Sequence, residues 1–308
     1  MIVAAACVGL DRWWSTAGPL MTALLVGCLA ANLGGTARPR GQASAARALL
    51  RAGVVLVGLR LSVQALATLG MAGLGIVLLT VALTFWLTCI LGDRLGLDRG
   101  LVTLVAAGFS VCGAAAIAAV EGGVRRRDRD VALAVAMVTV FGTGLVVALP
   151  LCGDLLGMSD RQVGVWAGAS IHEVAQVVAA ASVVGPAAVA VATTVKLTRV
   201  ALLPVMYLLA SARDNAAAPE GRSLPRLPWF VAGFVVAVLV RTLDVLPASA
   251  LATADFGATL FLSAGMYGLG LGLRARDLFP VPLRLLLLCG LSTLVAAAVP
   301  GGLTLLTV

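Results

Sequence analysis

Charge is what this chain has least of. Only 12% of its 308 residues are charged, where a soluble domain carries about a quarter. No soluble fold hides an apolar fraction of 61%. There is one histidine, His172, which excludes a zinc platform built on two histidines; "HEVAQ" at 172–176 begins like the metalloprotease element HExxH but has Gln176 in place of the second histidine. The six cysteines, Cys7, Cys28, Cys89, Cys112, Cys152 and Cys289, sit in or beside apolar runs without paired metal-ligand spacing. Neither a disulfide framework nor a metal site is expected, and no cofactor. The first ten residues, "MIVAAACVGL", lack the basic start of a cleaved signal peptide, so the chain is expected to insert through its own first helix.

Long apolar runs are abundant. Segments near the ~20 residues that cross a bilayer fall at roughly 15–34, 50–67, 71–91, 99–120, 131–152, 162–183, 187–210, 228–246, 256–273 and 285–306. Alternating polarity is missing, which excludes a β-barrel. The expected fold is therefore an all-α integral membrane protein of about ten segments in a single polytopic domain. Its one polar, Pro- and Ala-rich connection lies at 211–228.

The net charge of +8 comes from 21 arginines and a single lysine, Lys196, with most arginines in the connections. That distribution marks a cytoplasmic rim rather than a nucleic-acid surface. Arg38, Arg40, Arg47 and Arg51 place the connection after the first segment inside. If every segment crosses fully, Arg125, Arg126, Arg127 and Arg129 fall outside. The conflict disappears if 99–120 enters and leaves on the same side as two half-helices with its tip at "GFSVCG" (108–113), and 162–183 does the same from the opposite face. A continuous helix broken in the middle is the competing description. Either way the two interruptions, Gly108–Gly113 and Gly168–Glu173, are expected to meet at the midplane.

An internal repeat points the same way. "GLRLSVQAL" (58–66) matches "GLGLRARDL" (270–278) at its first, second, fourth and ninth positions, and the copies lie an odd number of crossings apart. Inverted repeats with interrupted helices at the midplane are the usual build of secondary transporters.

Irregular backbone at membrane depth is tolerated only where it is buried in protein or lines a polar cavity. In "GFSVCG", Gly108 and Gly113 would free the backbone, Ser110 and Cys112 would offer contacts, and the half-helix beginning near Gly113 would aim N–H groups at an anion. Close helix packing through small residues is the plainer account. In "GASIHEVAQ" (168–176), His172 and Gln176 are four apart and share a helical face, with Glu173 beside it and Ser170 at the break. Ionisable groups inside membrane segments usually face a cavity or a pathway; the alternative is a neutral His172 hydrogen-bonded to Glu173 as a structural clip. In "TTVKLTRV" (193–200), Lys196 and Arg199 form a buried cationic face that must pair with Glu173 or with a bound anion. Arg60 is a third buried cation, for which snorkelling to an interface is the simpler account.

"GFSVCGAAAIAAV", "GASIHEVAQVVAAA" and "KLTRVALLPV", in that order and near those spacings, resemble the YeiH-like sulfate exporter family of bacterial membrane proteins, and the resemblance runs over nearly the whole chain. It implies a multi-pass protein of the bacterial inner membrane, grouped with bile-acid and sodium/proton-antiporter-like carriers. Those carriers use two interrupted helices and an elevator-type movement of a core against a scaffold. The resulting expectation is a secondary carrier of a small anion, not an enzyme. Gly108, Ser110, Cys112, Gly113, Ser170, Gln176, Lys196 and Arg199 would hold the anion, and His172 and Glu173 would couple its movement to a proton or sodium ion. The lipid bilayer and a second copy in a homodimer are the other partners expected, and no nucleic acid. Two further readings stand beside this one: cation/proton exchange centred on Glu173, and an intramembrane enzyme using Cys112 or His172.

Overall fold

A computed structural model describes residues 19–33, 41–215, 229–271 and 280–308. Every regular element among them is helical. Three helices are long and apolar enough to cross a membrane: α4 (Gly70–Arg94), α7 (Asp128–Leu155) and α14 (Leu283–Thr307). At 1.5 Å per residue they extend about 37–42 Å. The pair α10 (Pro186–Ala201) and α11 (Leu203–Asp214, continuing to Asn215) counts as a fourth, bent by 42° at the junction before Pro204. The rest are shorter: α1 (Pro19–Leu33), α2 (Gln42–Val57), α3 (Val63–Ala67), α5 (Arg99–Ser110), α6 (Ala114–Val120), α8 (Asp160–Ser170), α9 (Val174–Val184), α12 (Trp229–Thr242), and also α13 (Ala248–Leu271), which has 24 residues.

Each of the ten expected segments coincides with a helix or a broken pair, but only three or four meet the length and composition of a full span. The expected linker needs correction at its start, because residues 211–215 continue α11; 216–228 lie outside the described residues. The first copy of the repeat is a 3-10 turn, Gly58–Arg60, followed by α3. Of the second copy only Gly270 and Leu271, at the end of α13, are described.

Two layers form. In one, α13 packs along α1 and α2, with α12 beside α2. Glycines set that spacing: a Cβ on Gly53 would lie 2.7 Å from the Leu262 side chain, and one on Gly265 would lie 2.5 Å from Leu50 Cγ. In the other layer, α4 through α11 and α14 surround the two broken pairs, α5–α6 and α8–α9.

Each broken pair starts and ends at the same end of the molecule. Asp98 caps α5 by accepting from Gly100 N–H at 3.0 Å, and Arg127, beyond α6, reaches the same Asp98 carboxylate at 3.8 Å. At the opposite end, a Cβ on Gly185, just past α9, would lie 3.3 Å from Asp160 Oδ2 at the start of α8. The capping there is reciprocal: Ser159 Oγ accepts from Gln162 N–H at 3.3 Å while Gln162 Oε1 accepts from Ser159 N–H at 2.8 Å. The two hairpins therefore enter from opposite ends, and α7 connects one end to the other.

The arginine-rich connections gather at the α5–α6 end. Arg126 pairs with the buried Glu121 at 2.5 Å and also with Asp128; Arg125 lies 3.8 Å from Asp214; Arg213 holds Asp93 at 2.6 Å; and Arg284 donates to Leu95 O at 3.3 Å.

Candidate functional site

The ladder of α5 stops at Ser110 and resumes at Ala114; that of α8 stops at Ser170 and resumes at Val174. Gly113 makes the first break feasible. It sits at φ 73°, where L side chains are strained, and a Cβ there would come within 2.7 Å of Glu173 Cγ and 3.2 Å of His172 O. The interruptions thus touch one another. Gly108, expected to open the backbone, remains helical, as does Gly168, and Gly108 serves packing: its Cβ would meet Ile117 Cδ1 at 2.8 Å and Val138 Cγ2 at 2.9 Å.

Stopping two helices at one point buries several carbonyls that have no intrahelical partner. Lys196 and Arg199, both fully buried on α10, supply what those carbonyls lack. Lys196 Nζ donates to Val111 O and Ile171 O, each at 2.8 Å, one carbonyl from each break. Arg199 donates from Nε to Ser110 O (3.1 Å), from Nη2 to Phe109 O (2.8 Å), and from Nη1 to Ala169 O (2.7 Å) and Ile171 O (3.1 Å). Two cations thus cap two helix C-termini, where the helix dipole favours positive charge. Close helix packing brings them there: α10 runs alongside α8, with a Cβ on Gly164 falling 3.1 Å from Ala188 Cα and one on Gly168 falling 2.8 Å from Val195 Cβ. Neither cation forms an ion pair with Glu173.

His172 and Glu173 are neighbours in sequence whose side chains make no hydrogen bond to each other. Ile171 and Glu173 have extended backbone, and in extended chain successive side chains point to opposite sides. The His172 ring is fully buried 4.4 Å from the Phe109 ring, and neither ring nitrogen has a hydrogen-bond partner among the described residues. Glu173 goes the other way, where its Oε1 accepts from Thr139 Oγ1 at 3.3 Å. The shared helical face expected for His172 and Gln176 does not form, because the helix begins at Val174. Gln176 instead belongs to the N-cap: its Oε1 accepts from Glu173 N–H at 3.3 Å, and its Nε2 donates to Thr139 O and Thr143 Oγ1, both at 3.2 Å. Only half of a capping signature is legible for this in the sequence: Gln stands at the third helical position, but the N-cap is Glu173 rather than Ser, Thr, Asp or Asn. Thr139 and Thr143 of α7 complete a polar set that the sequence alone did not bring together.

Ser110 and Ser170 are fully buried. The Ser110 hydroxyl donates to Ala106 O at 2.6 Å within its own helix, and Ser170 Oγ has no partner among the described residues.

Beside this crossing lies a cavity of about 270 Å³ between the two layers. Of the ten candidates only Cys112 and Glu173 line it; Ala114, Ala115, Val174 and Ala175, the first residues of α6 and α9, form the rest of that wall. The facing wall includes Arg60 and Thr259. Arg60 thus lines the cavity, a place that snorkelling to an interface does not predict. A larger cavity, about 430 Å³, opens between α4, α8, α10 and the end of α14, with Arg161 as its one charged side chain; it touches none of the crossing residues. Among the described residues no cluster of three or more His, Cys, Asp or Glu could hold a metal ion.

The family described as Conserved hypothetical protein 698 matches residues 1–289. A UPF0324 membrane protein of Corynebacterium glutamicum is 38% identical over 304 residues, covering 96% of this chain and 88% of that protein. The chain belongs to the UPF0324 membrane protein family. Other members share the same extent: one from Pseudomonas aeruginosa is 39% identical over 316 residues (96% and 88% covered), and one from Agrobacterium fabrum is 32% identical over 293 (94% and 84%). With its long apolar helices, this member is a membrane protein. No solved structure matches the chain.

Proposed function

We propose that this protein is a secondary carrier of a small anion, working by alternating access in the bacterial inner membrane. The observation that carries the reading is the charge balance at the helix crossing. Four half-helix ends converge there, two of about +0.5 and two of about −0.5 elementary charge, which cancel. What remains, with all three side chains ionised, is Lys196 and Arg199 against Glu173, a surplus of one positive charge beside a cavity. Arg60, on the opposite wall, is balanced by Asp255 and leaves that surplus unchanged.

The resemblance to sulfate exporters supplies the anion class and export as the direction. About ten membrane segments in two inverted repeats, with both hairpins re-entrant and meeting at the midplane, complete the proposed architecture. The layer holding the crossing would then be the moving core, and α1, α2, α12 and α13 the scaffold. Lys196 and Arg199 hold the crossing together in this scheme and act on the anion through their field, while Glu173 exchanges a proton as the counter-move.

A second reading draws on one observation: Glu173 reaches the cavity with Thr139 Oγ1 on its carboxylate, which suits cation/proton exchange. An enzyme is the poorer fit, since no hydrogen bond joins Cys112 to His172 as a nucleophile and base require. Counterflow of labelled sulfate, sulfite, methanesulfonate and acetate in proteoliposomes, with and without pH and sodium gradients, tests the proposal. Exchange of at least one of these anions is expected; cation-driven proton movement with no anion exchange would overturn it.

A further inference from the structure

Arg60 ends the 3-10 turn that interrupts its segment. The turn is pressed against α12 at Gly58, where a Cβ would fall 2.6 Å from Phe234 O and 2.9 Å from Ala237 Cβ. That contact fixes the backbone from which Arg60 reaches the cavity. Its guanidinium is hydrogen-bonded through one nitrogen only: Nη2 donates to Thr259 Oγ1 at 2.8 Å and to Asp255 O at 3.2 Å, while Nε lies 2.5 Å from Asp255 Oδ1 as an ion pair without hydrogen-bond geometry. Nη1 has no hydrogen bond among the described residues. Asp255 is the sole acid in α13, and its side chain is 58% exposed while that of Arg60 is 24% exposed.

We propose that Arg60 is the residue by which the cavity recognises its substrate, a small oxoanion, and that Asp255 is an internal carboxylate that occupies the guanidinium until the oxoanion arrives. A planar guanidinium offers paired donors that match two oxygens of one carboxylate, sulfonate or tetrahedral oxoanion, which a point charge cannot do. Asp255 presents the same chemistry from the protein, and with its side chain 58% exposed it is not locked against Arg60 by packing. Thr259 stays as the positioning contact and keeps the side chain aimed when Asp255 lets go. At about 270 Å³ the cavity has room for a four-oxygen anion with part of its hydration shell.

The inference rests on the anion reading but assigns the recognition to one side chain, so equilibrium binding to the purified full-length protein tests it apart from transport. Labelled sulfate, with sulfite, methanesulfonate and acetate as competitors, should bind the wild type. Arg60→Gln should lower affinity roughly ten- to hundredfold, the effect of losing one or two charge-assisted hydrogen bonds. Arg60→Lys, which keeps the charge and loses the fork, should recover only part of it. Asp255→Asn should tighten binding several-fold in the wild-type background and do nothing in Arg60→Gln, a coupling that a merely structural pair would not show. Folding is checked by the unfolding temperature without anion. Wild-type binding with unchanged affinity in Arg60→Gln overturns the assignment of Arg60 and leaves the carrier reading standing. Weaker binding in Asp255→Asn overturns the internal-carboxylate role. No binding of any of the four anions by the wild type removes the anion reading itself.

Discussion

Replacing Arg199 with methionine should cost this protein its fold before it costs any ligand. Arg199 makes four hydrogen bonds between 2.7 and 3.1 Å to Phe109 O, Ser110 O, Ala169 O and Ile171 O. Methionine fills a similar length and donates nothing, so four buried carbonyls at two helix ends lose their partner. A hydrogen bond to a charged group is worth about 1.5–3 kcal/mol, and a carbonyl left bare in the interior costs about 1–3 kcal/mol. Relaxation and Lys196, which also donates to Ile171 O, recover part of this. Removing one partner of a buried ionic arrangement typically costs about 3–5 kcal/mol, and that is the figure we expect. At roughly 2–4 °C per kcal/mol for a chain of this size, the unfolding temperature in detergent should fall by about 6–20 °C. Arg199→Lys should fall in between, because one ammonium with three donors cannot serve all four of the carbonyls that the guanidinium serves. The assay is thermal unfolding followed by size-exclusion chromatography, with sulfate binding measured on the folded fraction. Two results would refute the reasoning: an unfolding temperature within 2 °C of the wild type, or a stable variant whose only defect is lost anion binding.

Gly113→Ala should also destabilise, by about 1–3 kcal/mol from the positive φ alone, with the contact to Glu173 Cγ adding to it; Gly157→Ala, at φ 62° with open space around it, is the control that separates strain from crowding. Single cysteines at positions 126 and 215 should both resist an impermeant thiol reagent from outside intact cells, since Arg126 and the end of α11 belong to the same arginine-rich end; labelling at 126 alone would mean that 99–120 crosses fully. Burial pushes the Glu121 carboxyl above its ordinary 4.5, with Arg126 opposing. A carboxyl raised in the folded state binds its proton more tightly there, so its contribution to stability is present at low pH and lost as pH rises through the folded value. Glu121→Gln should flatten that loss above pH 4.5 in a pH series of unfolding temperatures, and an unchanged slope would count against it.

The interruptions were legible in the sequence, but their edges were not. "GFSVCG" and "GASIHE" both contain a break, yet the helical ladder runs through Gly108 and Gly168 and stops three residues later, at Val111 and Ile171. A glycine permits an interruption without requiring one; at Gly113 the positive φ and the Glu173 side chain lying against it show why no other residue fits there. Lys196 and Arg199 were legible as buried cations in need of partners. Their partners were not, because a carbonyl at a helix end carries no residue identity: every amino acid offers the same oxygen. The contact between Arg60 and Thr259 spans 199 positions, and no local pattern announces it. Asp255 does carry a local hint, as an acid in an otherwise uncharged helix.

The misreading of His172 has the same root and bears on mechanism. Helical spacing puts residues 172 and 176 on one face, but that holds only where both lie in the helix, and α9 begins two residues after His172. Once the chain is extended through Ile171–Glu173, the imidazole turns to Phe109 and the carboxylate to the cavity. His172 then stands with the packing of the crossing and Glu173 with the cavity. The two cations belong to the first group, Cys112 and Arg60 to the second. This division assigns separate tasks to residues that the sequence places side by side. Groups that fix the two breaks against each other must stay paired throughout a transport cycle, since opening them strands buried carbonyls. Groups on the cavity wall must be free to change partner, and Arg60 with its exposed Asp255 and Glu173 with a single side-chain donor, Thr139, are the ones built that way.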